Sequence, residues 1–106
     1  MANPWAGEVA IVIDGERQVM RLTLGALAEL EASLRVGTLV EMIERFETGA
    51  FSSRDVLAVV VAGLRGGGWP GRAEDLIAAE IEGGPIAAAK LAGALLVRAF
   101  ALPETT

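Results

Sequence analysis

Three glutamates, Glu41, Glu44 and Glu47, recur at three-residue intervals, with Arg45 among them. Two carboxylates at this spacing on a helix could bind a metal ion or act as an acid and base pair. Glu41 and Arg45 are also four residues apart in the orientation that stabilises a helix, which is typical of a solvent-exposed face. Since no His and no second acidic motif accompanies the cluster, the sequence favours the exposed face.

A glycine-rich segment at residues 66–71 (GGGWPG) is the second feature that could do chemistry, because backbone N–H groups in such loops bind phosphate. A phosphate-binding P-loop ends in Gly-Lys-Ser/Thr, whereas this segment continues into Arg72. The segment therefore predicts a loop without regular structure. Trp69 within it has two interpretations: it anchors a partner protein, or it folds back to cover the core.

The missing residue types exclude most catalytic chemistry. The 106 residues contain no His and no Cys, which excludes nucleophilic mechanisms based on Ser-His or Cys-His, zinc sites of the usual ligand types and disulfides. We therefore predict that the chain is not an enzyme and has no catalytic residues, no cofactor and no metal site.

The charge and the apolar content predict a folded protein that avoids polyanions. The net charge is −5 and 53% of the residues are hydrophobic, so phosphate backbones and anionic lipids are repelled. We expect no nucleic-acid partner and no membrane partner. The first residues lack a secretory signal, and the longest apolar run, residues 56–64, is far shorter than the roughly 20 residues that span a bilayer. The expected location is cytoplasmic.

The N-terminal part predicts a β-hairpin over residues 8–24. Two β-forming segments flank Asp14–Gly15, and this dipeptide favours a type I′ turn because Asp and Gly tolerate positive φ. With these two residues in the turn, Val9 pairs with Met20 and lies on the same apolar face as Ile11. This face must be covered by helices or by another chain.

From residue 24 to residue 102 the apolar residues recur with a helical period, which predicts four to five helices. Residues 38–41 (TLVE) form a capping-box pattern that begins the second helix. Residues 52–55 (SSRD) begin a third helix, whose segment 56–64 is predicted to be the most buried part of the chain. A short amphipathic helix is predicted over residues 72–81, with Leu76, Ile77 and Ile81 on its inner side.

These elements predict one domain over residues 1–106, of the α+β class. It consists of a hairpin at 8–24, a helical part at 24–102 and a loose tail at 103–106. No internal repeat and no linker divides the chain.

The last predicted helix carries bulky apolar residues on more than one side, and a single small core cannot cover all of them. Exposed apolar patches mark interfaces. The small residues at 87–94 fit either close packing within the chain or contact with a neighbouring helix. Self-association and binding of a helical partner both remain open. The predicted partner-binding residues are Trp69, Leu96, Arg98 and Phe100.

Five segments of the chain, taken in order, resemble a known family. They are the Asp14–Gly15 turn, residues 21–31 (RLTLGALAELE), 51–57 (FSSRDVL), 66–69 (GGGW) and 81–85 (IEGGP). The chain resembles the small tail protein encoded in gene transfer agent clusters and in related tailed phages. This family is grouped with phage tail assembly chaperones, and its members are also called tail tube proteins.

The resemblance implies a non-enzymatic role in building a gene transfer agent or prophage tail. It implies a tail assembly chaperone whose partners are the tape-measure protein and the tail tube protein. The alternative is a permanent tail component, a tube or connector subunit located in the phage-like particle. A small enzyme using carboxylates or hydroxyls is the remote alternative. A tube subunit would need long strands for a ring-forming sheet, and only one hairpin is predicted, so the sequence favours the chaperone.

Overall fold

The computed structural model describes residues 7–34 and 37–100. In this part of the chain an antiparallel hairpin precedes five helices, which confirms the predicted α+β class. The predicted loose tail, and the predicted end of the helical part at residues 101–102, lie outside the described residues. The elements are β1 (Glu8–Ile13), β2 (Glu16–Arg21), α1 (Leu24–Ser33), α2 (Leu39–Thr48), α3 (Ser53–Gly66), α4 (Ala73–Ile77) and α5 (Gly84–Phe100).

The hairpin has the register that its turn predicts. Asp14 and Gly15 have φ angles of 51° and 81°, and a type I′ turn requires positive φ at both positions. Val9 consequently pairs with Met20, and both side chains are buried together with Ile11. The apolar face of the hairpin therefore forms one side of the core.

Helix α3 is the central element of the core, as the sequence predicts. Its start is a capping box, in which Ser52 and Asp55 each accept a hydrogen bond from the other's backbone N–H. Every residue from 56 to 64 is buried or half-buried, and Val60 is only 1% exposed. Burial of this segment stabilises the fold through the hydrophobic effect.

Glycines of helix α3 occupy the points where this helix contacts the hairpin and α5. A Cβ atom on Gly63 would overlap Leu95, and one on Gly66 would overlap the carbonyl oxygen of Arg21. These positions have room for a hydrogen atom only. The glycines at this end of α3 therefore allow the helix to pack against β2.

Helix α4 is shorter than predicted. The sequence predicts a helix to residue 81, but α4 ends at Ile77 and the chain then runs antiparallel to β1. The N–H of Asp14 donates to the Glu80 carbonyl at 2.8 Å, and the N–H of Glu82 donates to the Val12 carbonyl at 3.0 Å. Hydrogen bonds to the β1 edge replace helical ones here, so residues 79–81 run alongside β1 and a turn begins at Glu82.

Candidate partner-binding surface

The described residues form an apolar groove of about 440 Å³ where α3, α4 and α5 meet. Helix α5 presents small side chains at this point, so the space between the helices is not filled. The apolar groove is lined by α3 (Val56, Leu57 and Val60), α4 (Leu76 and Ile77), α5 (Ala88 and Ala89) and the connecting residues Phe51, Ala79 and Ile81.

The apolar groove reaches from the core to the surface. Its floor includes Val60, which is buried, and its rim includes Ile77, which is 71% exposed. The sequence predicts Ile77 on the inner side of a longer helix. Because α4 ends at this residue, Ile77 instead stands at the groove edge, where it is available to another molecule.

A second depression of about 580 Å³ lies on the other side of the α5 N-terminus. The parallel rings of Phe46 and Phe51, with centroids 4.8 Å apart, form its wall. The exposed Ile86 lies at its edge. The two depressions share Phe51, Pro85 and Ala89, so apolar surface continues around the first half of α5.

Arg45 and Asp55 hold α2 against the start of α3 and thereby position Phe46. Arg45 Nε donates to Asp55 Oδ2 at 3.0 Å, and Nη2 donates to Oδ1 at 3.1 Å. Asp55 Oδ2 also accepts from the Ser52 backbone N–H at 2.9 Å. Burial by itself raises the pKa of the Asp55 carboxyl, but the hydrogen bonds from Arg45 and Ser52 outweigh it and lower the pKa below its ordinary value.

The acidic cluster on α2 has the exposed position that the sequence favours. Glu41, Glu44 and Glu47 are all exposed, and Arg45 forms its ion pair with Asp55 of the next helix. Within residues 7–34 and 37–100, no group of three or more acidic side chains is arranged to hold a metal ion. The cluster therefore contributes charge to the surface.

The glycine-rich segment has a packing role. Gly66 ends α3, and Gly67 caps it. A Cβ atom on Gly67 would overlap the carbonyl oxygen of Val19 in β2. Gly66 and Gly67, which the sequence places in the predicted loop, therefore pack against β2. In a phosphate-binding loop the backbone N–H groups would instead face a ligand.

The structure does not bring the four predicted partner-binding residues together. Leu96 is 1% exposed and lies in the core. Contrary to the expectation from the sequence, its side chain is therefore not available on a binding surface. The Trp69 side chain is half-buried against the core, and the Trp69 backbone N–H donates to the Leu64 carbonyl at 2.9 Å. This arrangement agrees with the interpretation in which Trp69 folds back to cover the core.

The other two predicted residues are exposed on α5. Arg98 donates from Nη1 to the backbone carbonyl of Glu8 at the start of β1. Phe100 is 42% exposed. The helical period separates a buried side, which carries Leu96, from an exposed side. This exposed side of α5 contains Ile86, Lys90, Val97 and Phe100.

Sequence reasoning did not find the apolar groove. The available signal is the alanine run at 87–89, which predicts close packing but in the structure leaves space opposite α3 and α4. In the described part of the chain, no helix is long and apolar enough to cross a membrane.

The chain is similar to a known family of phage tail proteins. A family model described as phage tail tube protein, GTA-gp10, matches residues 6–102. No curated protein and no solved structure matches the chain.

Proposed function

Because the chain belongs to the phage tail tube protein family GTA-gp10, whose model covers residues 6–102, we propose that it is a tail assembly chaperone of a phage-like particle. In this role it binds the tape-measure protein, keeps its apolar helical segments in solution and brings in tail tube subunits. The chain does so without catalysis, through apolar surface that its own core leaves uncovered.

The exposed apolar surface around α5 is the observation that carries this proposal. Ile77 at the rim of the apolar groove and Ile86 beside the second depression are 71% and 73% exposed. Contiguous exposed apolar surface is unfavourable in water unless a partner covers it. The net charge of −5 keeps a carrier with such a surface in solution.

The partly covered edges of the sheet support the chaperone over a ring-forming tube subunit. The β1 edge is contacted by residues 80–82 near the turn and by Arg98 at its start. Beside β2, Gly66 and Gly67 of the α3 end approach the strand carbonyls. Subunits that close a ring through a shared sheet need free strand edges. Each six-residue strand therefore has part of its outer edge covered within this chain.

The exposed side of α5 belongs to the proposed binding surface. Phe100 stays within it because its ring is partly exposed. Arg98 and Trp69 contribute indirectly, since the first contacts β1 and the second packs on the core. We propose that partner contact begins at Ile86 and extends towards Phe100.

A permanent tube or connector subunit is the second candidate function, and the family's own description favours it. The two functions differ in where the protein is found after assembly. A chaperone leaves the tail, whereas a tube or connector subunit remains in the particle in a fixed ratio to other tail proteins.

The test compares two fractions of a culture that produces particles, using the full chain with an affinity tag. We expect the tagged chain to retain the tape-measure protein in the lysate and to be missing from purified particles, as measured by quantitative mass spectrometry. A constant copy number per purified particle would establish the structural subunit and refute the chaperone.

A further inference from the structure

We infer that the exposed side of α5 pairs with a helix of the partner protein that carries a Glu or Asp opposite Lys90. The inference rests on the proposed function and deepens it, since it names the structure and the chemistry of the segment that is bound. Its basis is the spacing of the residues on the exposed side of α5 together with the position and the surroundings of Lys90.

The exposed side of α5 has the residue spacing of a helix-pairing surface. After Ile86, the residues Lys90, Gly93, Val97 and Phe100 follow at alternating steps of four and three. Residues at this spacing form one stripe along a helix, which is the stripe that packs against a second helix in a coiled coil. These five residues, the α5 stripe, extend over about 21 Å of helix. The α5 stripe is therefore long enough to contact about four turns of a partner helix.

The large apolar side chains of the α5 stripe are not covered within the described part of the chain. Ile86, Val97 and Phe100 are three of the six large apolar side chains that are exposed there. The second depression, of about 580 Å³, lies beside Ile86, Lys90 and Gly93. Side chains of a partner helix therefore have space to enter next to the α5 stripe.

Lys90 is the charged residue of the α5 stripe. It is the only lysine of the chain, its side chain is exposed, and it is the one charged residue among those that line the second depression. In residues 7–34 and 37–100 its ammonium group has no ion-pair partner. The α5 stripe therefore presents an unpaired cation between its apolar side chains.

A carboxylate on the incoming helix is the group that fits Lys90. When a helix covers the α5 stripe, the ammonium group loses part of its water, and burying an unpaired charge is unfavourable. A Glu or Asp that faces Lys90 compensates for this loss and fixes the register of the two helices. The occupant is therefore a helix with apolar residues at steps of three and four and an acidic residue near the centre of that pattern.

A second copy of this chain fits the α5 stripe less well. Residues 84–100 contain Lys90 and Arg98 but no Asp or Glu, so α5 of another copy supplies no carboxylate for Lys90. In a parallel pair of α5 helices the two Lys90 ammonium groups would face each other and repel. The exposed carboxylates of α2, Glu44 and Glu47, do not line the second depression. Charge therefore favours a different protein with an acidic residue in its helix.

The test uses two labelled synthetic peptides of about 18 residues, five helical turns, with Leu at alternating steps of three and four. One peptide has Glu at the centre of the Leu pattern, the other has Lys there, and the two are otherwise identical. Binding to the full chain is measured by fluorescence anisotropy at about 0.05 M and about 0.5 M salt. We expect the Glu peptide to bind about tenfold more tightly than the Lys peptide at low salt, and this ratio to fall at high salt.

Two substitutions with matched controls locate the binding site. Lys90→Glu should reverse the preference, so that the Lys peptide binds more tightly. Its control, Arg17→Glu, makes the same change in charge at an exposed position on β2 and should leave the preference for the Glu peptide. Ile86→Ala should weaken binding of the Glu peptide about tenfold. Its control, Leu24→Ala, lies at an exposed residue on α1 and should leave binding unchanged.

Any of five results would overturn the inference. They are no binding of either peptide, equal affinity for both, a preference that Lys90→Glu leaves unchanged, equal losses in Ile86→Ala and Leu24→Ala, or a concentration-dependent dimer that Ile86→Ala abolishes. The last result would assign the α5 stripe to a second copy of the chain. Circular dichroism checks that each variant is folded.

The proposed function fails separately from this inference. If the peptides bind as expected but the tagged chain retains no tail protein from lysate, the inference about the α5 stripe stands and the chaperone role does not. If wild type and Lys90→Glu retain tail proteins equally and neither peptide binds, the inference about the α5 stripe alone is refuted.

Discussion

Arg45 of α2 and Asp55 of α3 form an ion pair with two hydrogen bonds, and the same Asp55 carboxylate caps the helix that begins beside it. The side chains of Arg45 and Asp55 are 29% and 14% exposed. The Asp55 carboxylate therefore caps the N-terminus of α3 and also binds α2 through Arg45.

Replacing Asp55 with Ala should lower the free energy of unfolding by about 2 kcal/mol, because a helix cap and a partly buried charged hydrogen bond are lost together. Urea denaturation followed by circular dichroism measures the change. Glu44→Ala, at an exposed position on α2, is the control and should change stability by less than about 0.5 kcal/mol. Equal effects of the two substitutions would refute the role of Asp55.

The contribution of Asp55 should depend on pH in a defined direction. The pKa of the Asp55 carboxyl is lower in the folded chain than its ordinary value of 3.8, so the stabilisation by this carboxylate is complete above that value and is lost as pH falls through the folded value. The stability difference between wild type and Asp55→Asn should therefore be larger at about pH 7 than at about pH 2. A difference that stays constant or grows towards acid pH would contradict the direction of the shift.

Gly66→Ala should destabilise the protein by about 2 kcal/mol, since the added methyl group would overlap the Arg21 carbonyl and force α3 away from β2. The matched control is Gly25→Ala in α1, where an added Cβ would meet nothing nearer than Thr23 Oγ1 at 3.9 Å. This control should be neutral or stabilising by up to about 1 kcal/mol, because Ala favours helix more than Gly does. Thermal unfolding of both variants checks the opposite signs.

Val60→Asp should abolish cooperative folding, because an unpaired charge would be placed in the core at a residue that is 1% exposed. Val97→Asp makes the same change on the exposed side of α5 and should leave a cooperative thermal transition. A folded Val60→Asp protein with unchanged thermal stability would mean that α3 is not the centre of the core.

Substitutions of Trp69 and Phe100 should have different effects on stability and on partner binding. Trp69→Ala removes a half-buried ring from the core and should cost about 2 kcal/mol of stability. Phe100→Ala should cost less than about 1 kcal/mol but weaken retention of the tape-measure protein by the tagged chain. Calorimetry and co-purification measure the two effects, and unaltered retention with Phe100→Ala would remove Phe100 from the binding surface.

Several features follow from the sequence alone because their causes are local. Asp14–Gly15 defines the turn, and the alternation around it then determines that Val9 pairs with Met20. Ser52 and Asp55, three residues apart, form the predicted helix start. In each case the interacting groups are close along the chain, so residue types and spacing contain the information.

Other features were decided by tertiary structure because their partners are distant in sequence. Helix α4 ends early since residues 80–82 bond to β1, nearly seventy positions away along the chain. Arg45 has a local partner available in Glu41, yet its ion pair is with Asp55 of the next helix.

The partner-binding surface depends on tertiary structure for the same reason. The helical period alone does not say which side of α5 meets the core, and packing against the hairpin and α3 buries Leu96 while leaving Ile86 and Phe100 exposed. The apolar groove arises only where alanines of α5 face the valines of α3 across the end of α4. Local sequence determines which elements form, whereas long-range packing determines which of their apolar side chains remain for a partner.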